Sequence, residues 1–392
     1  MDHRVRSHDG FWTVSDVDLD DLLRVVDVDT DESPYEHAIG VESGVIVYDA
    51  AAVEEIVDDL DRRRRVLGEI AHAIGAGPGV VAFRGAVDPD AVHRSSAVCD
   101  TILRREREAG ISAADHFAVA GANERAWNTL EKLALDDPGT FVDYYASETI
   151  ALASEAWLGP GYQVTAQINV VNPGGAAQAP HRDYHLGFMT DDEVARFPHH
   201  VHTMSPMLTL QGAVAHCEMP IESGPTKLLP HSQKYPLGYL AYRQPEVAAA
   251  FEERFVQLPL DVGDAVFFNP ALLHAAGDNR SADVRRVANL LQVSSPLGRA
   301  MERVDRTAVV RAIYPALRRR RDAGWSERAV GAALGAAAEG YAFPSDLDND
   351  PPVDGLAPAT QADIVRRALD EGWTNAQLDE ALTALDRRRR VV

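Results

Sequence analysis

Apolar residues follow two different periods along this chain. In the first 160 residues they recur mostly at intervals of three and four, as in the segment 50–74, which is typical of amphipathic helices. Between Gly161 and Ser295 they form short alternating or continuous runs separated by Gly, Pro and Asn, which is typical of the strands of a β-sandwich or barrel. The helical pattern then returns. Before the strand region, the predicted helices cover 50–74, 89–107, 123–135 and 140–157, and one short strand is predicted at 80–83.

The two ends of the chain differ from its centre. Residues 1–45 are rich in Asp and Val without a steady period, which predicts an irregular acidic arm. Residues 301–392 contain two similar turns, Gly-Trp-Ser at 324–326 and Gly-Trp-Thr at 372–374, each between two helical segments. In such a turn a left-handed Gly ends one helix and the Ser or Thr caps the next. Two copies are too few for a solenoid, so we predict a helical C-terminal extension that serves as an appendage or as a contact in a homo-oligomer.

The charge balance excludes several classes of partner. The chain has 392 residues, with 60 Asp or Glu against 38 Lys or Arg, which gives a formal net charge of -22. A field of this sign repels polyanions, so we expect no general binding to nucleic acid or to anionic membranes. Two cysteines are too few for a disulfide framework and indicate a reducing compartment. With no apolar segment typical of a signal peptide or a membrane span, we expect a cytoplasmic protein.

One segment places a His and an Asp at strand spacing. Residues 172–185 contain His181 and Asp183, whose side chains point to the same face of an extended strand. An imidazole and a carboxylate side by side are two of the three ligands that hold non-haem Fe(II) while leaving coordination positions open. A lone His-x-Asp is weak evidence, because the pair is common by chance.

A second segment supplies a candidate for the third metal ligand and an arginine that could bind a cosubstrate. Residues 262–270 predict a turn, a buried strand and a bend, which bring His274 to the end of that strand. Arg285 and Arg286 stand at the start of the next apolar strand. A guanidinium that points inward from such a strand needs an anionic partner, and a dicarboxylic cosubstrate would supply one through a bidentate contact.

Together with the segment 222–233, these blocks resemble the phytanoyl-CoA dioxygenase family of Fe(II)- and 2-oxoglutarate-dependent oxygenases. In that segment Gly224-Pro225-Thr226 is followed by Pro230 and Ser232, which is similar to an element of the family. The resemblance covers about 79–295. It implies an α+β fold with a double-stranded β-helix, or jelly-roll, cupin-like core at about 160–295. The catalytic domain is then expected at 46–300, between the arm at 1–45 and the extension at 301–392.

The resemblance also implies roles for individual residues. His181, Asp183 and His274 are expected to bind iron. Arg285 is expected to hold the distal carboxylate of 2-oxoglutarate with the help of the Thr226 hydroxyl, although Arg286 differs from it by only one position. Either of two residues on the preceding strand is expected to reach the cosubstrate from the other side, and these are Gln167 and Asn169.

The implied reaction consumes O2 and 2-oxoglutarate and releases succinate and CO2. We expect hydroxylation, or a related oxidation, of a small organic molecule. Related halogenases have a small residue where this chain has Asp183, so halogenation is disfavoured. The expected substrate-pocket residues lie near the motifs in sequence: Tyr184, His185, Phe188, His216, Glu218 and His231. His185 shares the predicted strand face of His181 and Asp183, so it is either a pocket wall or a competing ligand.

Two other functions remain open at this point. The first is a non-catalytic jelly-roll that binds a metal or small ligand. The second is a metal-dependent oxygenase that does not use 2-oxoglutarate. The chain keeps all three metal-ligand candidates and the arginine, which favours the catalytic interpretation.

Overall fold

The computed structural model describes residues 10–111 and 123–390. The first nine residues of the predicted arm lie outside this range. The helices are α1 (Leu19–Val26), α2 (Ala50–Ile56), α3 (Leu60–Gly75), α4 (Pro89–Glu108), α5 (Thr129–Asp136), α6 (Pro138–Tyr145), α7 (Glu148–Leu158), α8 (Asp191–Val194), α9 (His199–Met204), α10 (Gly238–Ala241), α11 (Pro245–Arg254), α12 (Arg306–Asp322), α13 (Glu327–Ala337), α14 (Gln361–Asp370) and α15 (Asn375–Arg389). The strands are β1 (Gly40–Glu42), β2 (Val45–Asp49), β3 (Val80–Arg84), β4 (Asn123–Ala126), β5 (Gln163–Val171), β6 (Thr209–Ala215), β7 (Lys227–Leu228), β8 (Ala265–Phe268), β9 (His274–Ala275) and β10 (Arg286–Ser294).

The main sheet has eight strands in the order β1-β2-β3-β8-β6-β10-β5-β4. Its neighbours are antiparallel except for β2 and β3, which are parallel. The predicted core at 160–295 covers the middle of this sheet, but β1, β2, β3 and β4 come from earlier in the chain. The predicted helix at 123–135 is wrong at its start, where β4 forms an edge strand. The sequence of β4, Asn-Glu-Arg-Ala, has no alternation of apolar and polar residues and therefore gives no strand signal.

A second, two-stranded sheet pairs β7 with β9 and faces the main sheet across a cavity. An isolated bridge between His181 and His274 continues it. The two layers form the jelly-roll, which confirms the predicted α+β fold class. The apolar segment 255–260, within the predicted strand region, forms only single bridges at Val256 and Leu260.

The two faces of the main sheet have different surroundings. Its outer face contributes Phe83, Val214 and Phe267 to a large apolar core shared with the flanking helices. Its inner face carries side chains at the alternate positions and lines the cavity.

The C-terminal helices share the outer core rather than forming a core of their own. Val310 and Leu334 belong to the same apolar cluster as Phe83. The buried Arg306 donates to the carbonyl oxygens of Ala336, at 2.8 Å, and Val164, at 2.7 Å, which links the extension to β5. The domain boundaries themselves stay predictions.

Both predicted helical turns are present in the extension. Gly324 and Gly372 have φ values of +88° and +66°, which an L side chain rarely adopts. Ser326 and Thr374 then accept the backbone N–H of the third residue of the following helix, as N-caps do. Among the described residues, no helix is both long enough and apolar enough to cross a membrane.

Candidate metal centre and cavity

Backbone pairing brings the two candidate histidine ligands together. The N–H of His181 donates to the His274 carbonyl at 3.0 Å, and the reverse bond measures 3.2 Å. Their rings are 4.4 Å apart between centroids. Asp183 Oδ1 lies 3.7 Å from His181 Nε2, and Asp183 Oδ2 lies 3.5 Å from His274 Nε2. One donor atom from each residue lies within 4.8 Å of the others, so the geometry brings the three predicted ligands to one point.

The imidazole tautomers suit metal binding. His181 Nδ1 lies 2.9 Å from the carbonyl oxygen of Ala179, and His274 Nδ1 lies 3.0 Å from that of Leu272. A carbonyl can only accept, so both Nδ1 atoms carry the proton and both Nε2 lone pairs point toward Asp183. Burial, reinforced by the nearby His274, lowers the pKa of His181 and keeps it neutral, which is the form that binds a metal.

The Asp183 carboxylate is held from the main sheet. Gln211 on β6 donates its amide N–H to Asp183 Oδ2 at 2.5 Å. Burial by itself would raise the pKa of Asp183, but the pKa lies below its ordinary value because the hydrogen bond from Gln211 stabilises the carboxylate, as the two imidazoles also do when they are protonated. The carboxylate is therefore ionised and fixed in orientation before any metal arrives.

Arg182, which lies between His181 and Asp183, anchors this segment on the side that faces away from the cavity. The Arg182 guanidinium is buried and donates to the carbonyl oxygens of Ser232, at 2.6 Å, and Tyr235, at 2.9 Å. It lies so close to Gly238 that a Cβ on this glycine would overlap it. Because alternate residues point in opposite directions, anchoring Arg182 directs His181 and Asp183 into the cavity.

The candidate ligands lie on the wall of a cavity of about 510 Å³. The opposite wall is the inner face of the main sheet. The polar side chains on this face are Asn123, Arg125, Asn169, Gln211, Arg286 and Gln292. The apolar residues that line the cavity include Trp127, Phe188, Leu290 and Met301.

Of the two neighbouring arginines, Arg286 lines the cavity and Arg285 does not, so the preference for Arg285 is wrong. Arg285 is exposed and pairs with Asp100 at 3.0 Å on the outer side. Strand β10 begins at Arg286, whose Nη1 donates to the carbonyl oxygens of Ser223, at 3.0 Å, and Gly277, at 3.1 Å. Burial lowers the pKa of Arg286 to about 10, which still leaves it charged at neutral pH. The spacing in the sequence favoured Arg285 because it does not determine at which residue the strand begins, and therefore which arginine points inward.

Thr226 and Arg286 line the same cavity. It follows Gly224, which has a φ of +71° and approaches the backbone so closely that a Cβ would lie 2.1 Å from the Asp278 carbonyl oxygen. Only glycine fits there, and the tight turn brings Thr226 beside the 277–286 segment. Of the two alternatives on β5, Asn169 lines the cavity, while Gln167 is fully buried and contacts Arg125 and Gln292 instead.

This arrangement agrees with the comparison of the sequence with known families. The family model of phytanoyl-CoA dioxygenase (PhyH) matches residues 77–287, slightly more than half of the chain. The chain belongs to the phytanoyl-CoA dioxygenase family. It is therefore an oxidoreductase of the non-haem iron class that uses Fe(II), 2-oxoglutarate and O2.

The chain is also similar to several solved structures. The alpha-ketoglutarate-dependent epimerase SnoN from nogalamycin biosynthesis is 19% identical over 59% of this chain and 84% of its own, with a TM-score of 0.40. The carbocyclase SnoK from the same pathway is 19% identical over 58% of this chain and 83% of its own, with a TM-score of 0.39. AviO1 from Streptomyces viridochromogenes Tue57 is 17% identical over 59% of this chain and 96% of its own, with a TM-score of 0.40. No curated protein matches the sequence.

Most of the predicted substrate-pocket residues of this phytanoyl-CoA dioxygenase family member lie elsewhere. Phe188 lines the cavity, as predicted. Tyr184 and His185 are not among the lining residues, because the chain leaves the extended conformation directly after Asp183. Their φ values are +63° and +46°, and a 3-10 helix follows at 185–188. The strand alternation that predicted His185 on the same face as His181 and Asp183 ends at that bend.

The other three predictions are wrong for separate reasons. His216 follows the cavity-lining Ala215, so it points to the opposite face, where it contacts Ser96 and Tyr144 at 2.9 Å each. Glu218 is exposed to solvent. His231 lies in a left-handed turn and contacts Thr30 and Lys234 at the arm, away from the cavity.

The sequence argument missed several inner-face residues, above all Arg125, Gln211 and Gln292. One signal was present: Gln211 and Gln292 are polar residues that interrupt the otherwise apolar strands β6 and β10. A buried polar residue at such a position needs a partner, which is a reason to place it in a site. Arg125 gave no such signal because its strand was predicted as helix.

Proposed function

We propose that this enzyme hydroxylates, or otherwise oxidises, a small organic molecule at an iron held by His181, Asp183 and His274. The observation that supports the proposal most is the convergence of their donor atoms within 4.8 Å, with both Nε2 atoms deprotonated. Two imidazoles and one carboxylate are the donor set that suits ferrous iron with open positions. The residues present therefore fit the metal that the family uses.

Arg286 is proposed to bind the distal carboxylate of 2-oxoglutarate, with Thr226 donating its hydroxyl. The buried guanidinium and Thr226 line the same cavity as the candidate ligands. The Arg286 guanidinium donates to two neutral carbonyl groups and interacts electrostatically with Asp278, but the described ion pairs include no direct contact between the two, so a cosubstrate carboxylate would give this buried charge a direct partner. Asn169, on the neighbouring strand, is proposed to contact the cosubstrate from the side of the main sheet.

When bound, the iron supplies O2 activation coupled to oxidative decarboxylation of 2-oxoglutarate to succinate and CO2. The protein fixes the ligand geometry through the Gln211 contact to Asp183 and the backbone contacts of both Nδ1 atoms. The carboxylate of Asp183 occupies the position that a small residue leaves open in halogenases, so hydroxylation is favoured over halogenation.

The test is anaerobic addition of Fe(II) and then 2-oxoglutarate to the purified protein. We expect a visible charge-transfer band that is absent in His181→Ala and weakened in Arg286→Leu at the same cosubstrate concentration. His200→Ala, an exposed histidine outside the cavity, is the matched control and should keep the band. No band in the wild-type protein at full iron loading would overturn the proposal. A band without succinate release in any substrate screen would contradict the oxidation step alone.

A further inference from the structure

We propose that the substrate carries a neutral group that both accepts and donates a hydrogen bond, a hydroxyl or a carboxamide, which the amides of Gln292 and Gln211 bind jointly. The inference rests on the proposed function, because it places this group beside the iron that Asp183 is proposed to hold. It names the class of substrate that the cavity selects.

Gln292 and Gln211 lie side by side on the inner face of the main sheet. The backbone register pairs them directly across β10 and β6. Directly opposed residues of an antiparallel pair point to the same face, with Cβ atoms roughly 4.5–5.5 Å apart. Both side chains line the cavity, and the two residues are only 7% and 6% exposed. Their amides are therefore neighbouring groups on one wall of the cavity.

Gln292 offers a hydrogen-bond donor to the cavity. A guanidinium can only donate, so the bond of 3.1 Å from Arg125 Nη1 orients the Gln167 amide with its oxygen toward Arg125. Gln167 Nε2 then donates to Gln292 Oε1 at 3.2 Å. The oxygen of Gln292 is engaged in this contact, and no described residue accepts a hydrogen bond from its Nε2. Gln292 therefore presents a donor whose orientation is fixed from behind.

Gln211 offers an acceptor. Its Nε2 donates to Asp183 Oδ2 at 2.5 Å, and an ionised carboxylate can only accept, so the amide cannot be turned around. Its Oε1 is buried and accepts no hydrogen bond from a described residue. A buried acceptor of this kind is unfavourable unless a ligand supplies a donor. The cavity wall thus places a donor and an acceptor next to each other.

One neutral group satisfies both amides. A hydroxyl accepts from Gln292 through its oxygen and donates to Gln211 through its hydrogen, and a primary carboxamide does the same with its oxygen and an N–H. A ketone or an ether can only accept. A carboxylate can also only accept, and the negative charge of Asp183 repels it. The pair therefore discriminates against these groups, because each of them leaves the Gln211 oxygen unpaired.

The surroundings of the pair indicate the rest of the substrate. Gln211 contacts a candidate iron ligand directly, so the bound group lies beside the metal position. We therefore expect oxidation at the carbon that bears this group or at the next one. Trp127, Phe188 and Met301 line the same cavity, which favours an apolar body attached to the polar group.

The test is anaerobic calorimetric titration of the protein loaded with Fe(II) and saturated with 2-oxoglutarate. The probes have nearly the same shape and differ in one group: 1-phenylethanol, benzamide and acetophenone, with the corresponding cyclohexyl compounds as an aliphatic series. We expect the alcohol or the amide of at least one series to bind about tenfold more tightly than the ketone, because the ketone leaves one buried acceptor unpaired. Whichever of the two binds more tightly identifies the group as a hydroxyl or a carboxamide.

Glutamine variants make the result specific to the pair. Gln292→Met removes the donor and should weaken binding of the preferred probe about tenfold while keeping the charge-transfer band, which shows that the cavity is intact. Gln244→Met, at the start of helix α11 and outside the cavity lining, is the matched control and should leave binding unchanged. If Gln292→Met does not fold, Gln167→Met releases the Gln292 amide from its fixed orientation and should weaken binding about threefold.

Two results would overturn the proposal. The first is that neither the alcohol nor the amide of either series binds more than about twofold more tightly than its ketone, which includes the case in which no probe binds. The second is that Gln292→Met binds the preferred probe within about twofold of wild type. The charge-transfer band without probes reports on the proposed function alone. Its absence in the wild type identifies failure there, whereas a normal band with equal affinities across the probes identifies failure of the hydrogen-bonding pair.

Discussion

The cavity has two walls, and they differ in how their functional residues are distributed along the sequence. The wall formed by 178–183, 226–228 and 274–277 consists of short bridges and turns and carries the three candidate iron ligands. The opposite wall is the inner face of the main sheet and carries Arg125, Gln211 and Arg286. The candidate ligands of the first wall lie within short sequence motifs. The polar side chains of the second wall lie on strands that are far apart in sequence.

The difference indicates a division of work. The motif wall supplies the atoms expected to bind the metal, and the sheet wall orients them and supplies the positive charges. Gln211 connects the two walls through its hydrogen bond to Asp183. The following predictions test whether the walls act separately or through that contact.

The largest effect is expected on the motif wall. Asp183→Ala removes the carboxylate of the ligand set and should reduce 2-oxoglutarate turnover by on the order of 1,000-fold, because several kcal/mol of metal-dependent stabilisation is lost. Succinate release measures it. Asp191→Ala, an acid on helix α8, is the control. Turnover within tenfold of wild type in Asp183→Ala would exclude Asp183 as a ligand.

The second prediction compares neighbouring arginines on opposite faces of β10. Arg286→Leu should raise the KM for 2-oxoglutarate on the order of 100-fold, since losing one partner of a buried charged contact costs about 2–5 kcal/mol. Arg285→Leu removes an exposed ion pair, worth about 0–1 kcal/mol to stability, and should leave the KM within about twofold. Steady-state kinetics of both variants measures the difference. A larger effect from Arg285 would contradict the assignment of the inner face.

The same comparison shows what could be predicted from sequence. His181, Asp183 and His274 could be named as candidate ligands because short motifs around them resemble the family, and the structure brings their donor atoms together, while their binding of iron stays a proposal. Arg286 was missed by one position, because a strand register that begins one residue later exchanges the inward and outward faces. His216 was misplaced for a related reason: proximity to a motif in sequence does not determine on which side of a sheet a residue lies.

Long-range pairing explains the remaining errors. Arg125 reaches the cavity only because β4 pairs with β5, and the polar sequence of β4 does not indicate that pairing. The fold class needed less information, since the change from helical to strand periodicity at Gly161 and back after Ser295 already predicts a β-sandwich or barrel with flanking helices, and the family resemblance specified a jelly-roll. Thr226 was named through the family resemblance of the segment 222–233; the structure places it in the cavity after the tight turn at Gly224, and its role stays a proposal.

The third prediction concerns the contact between the walls. Gln211→Leu removes the amide that holds Asp183 and should weaken iron binding about 10- to 100-fold, which is the usual cost of losing a partner that orients a metal ligand. Anaerobic metal titration measures the dissociation constant. Gln211→Glu should weaken binding at least as much if its carboxylate is ionised, because a second negative charge then repels Asp183. Unchanged iron affinity in Gln211→Leu would show that the motif wall positions its ligands alone.

The smallest effect is expected on the outer face, from His216. Burial lowers the pKa of His216 to about 3, while the unfolded chain protonates it near its ordinary value of 6.5. As the pH falls below 6.5 the unfolded state binds a proton that the native state does not, so native stability falls by up to about 1.4 kcal/mol per pH unit until the pH nears 3. The variant His216→Gln has no imidazole at this position and therefore lacks this pH dependence of stability. Its stability deficit relative to wild type, measured by urea unfolding, should therefore shrink by about 1 kcal/mol between pH 7.5 and pH 5.5. A deficit that stays constant over that range would show that the contacts of His216 with Ser96 and Tyr144 tolerate the charged ring.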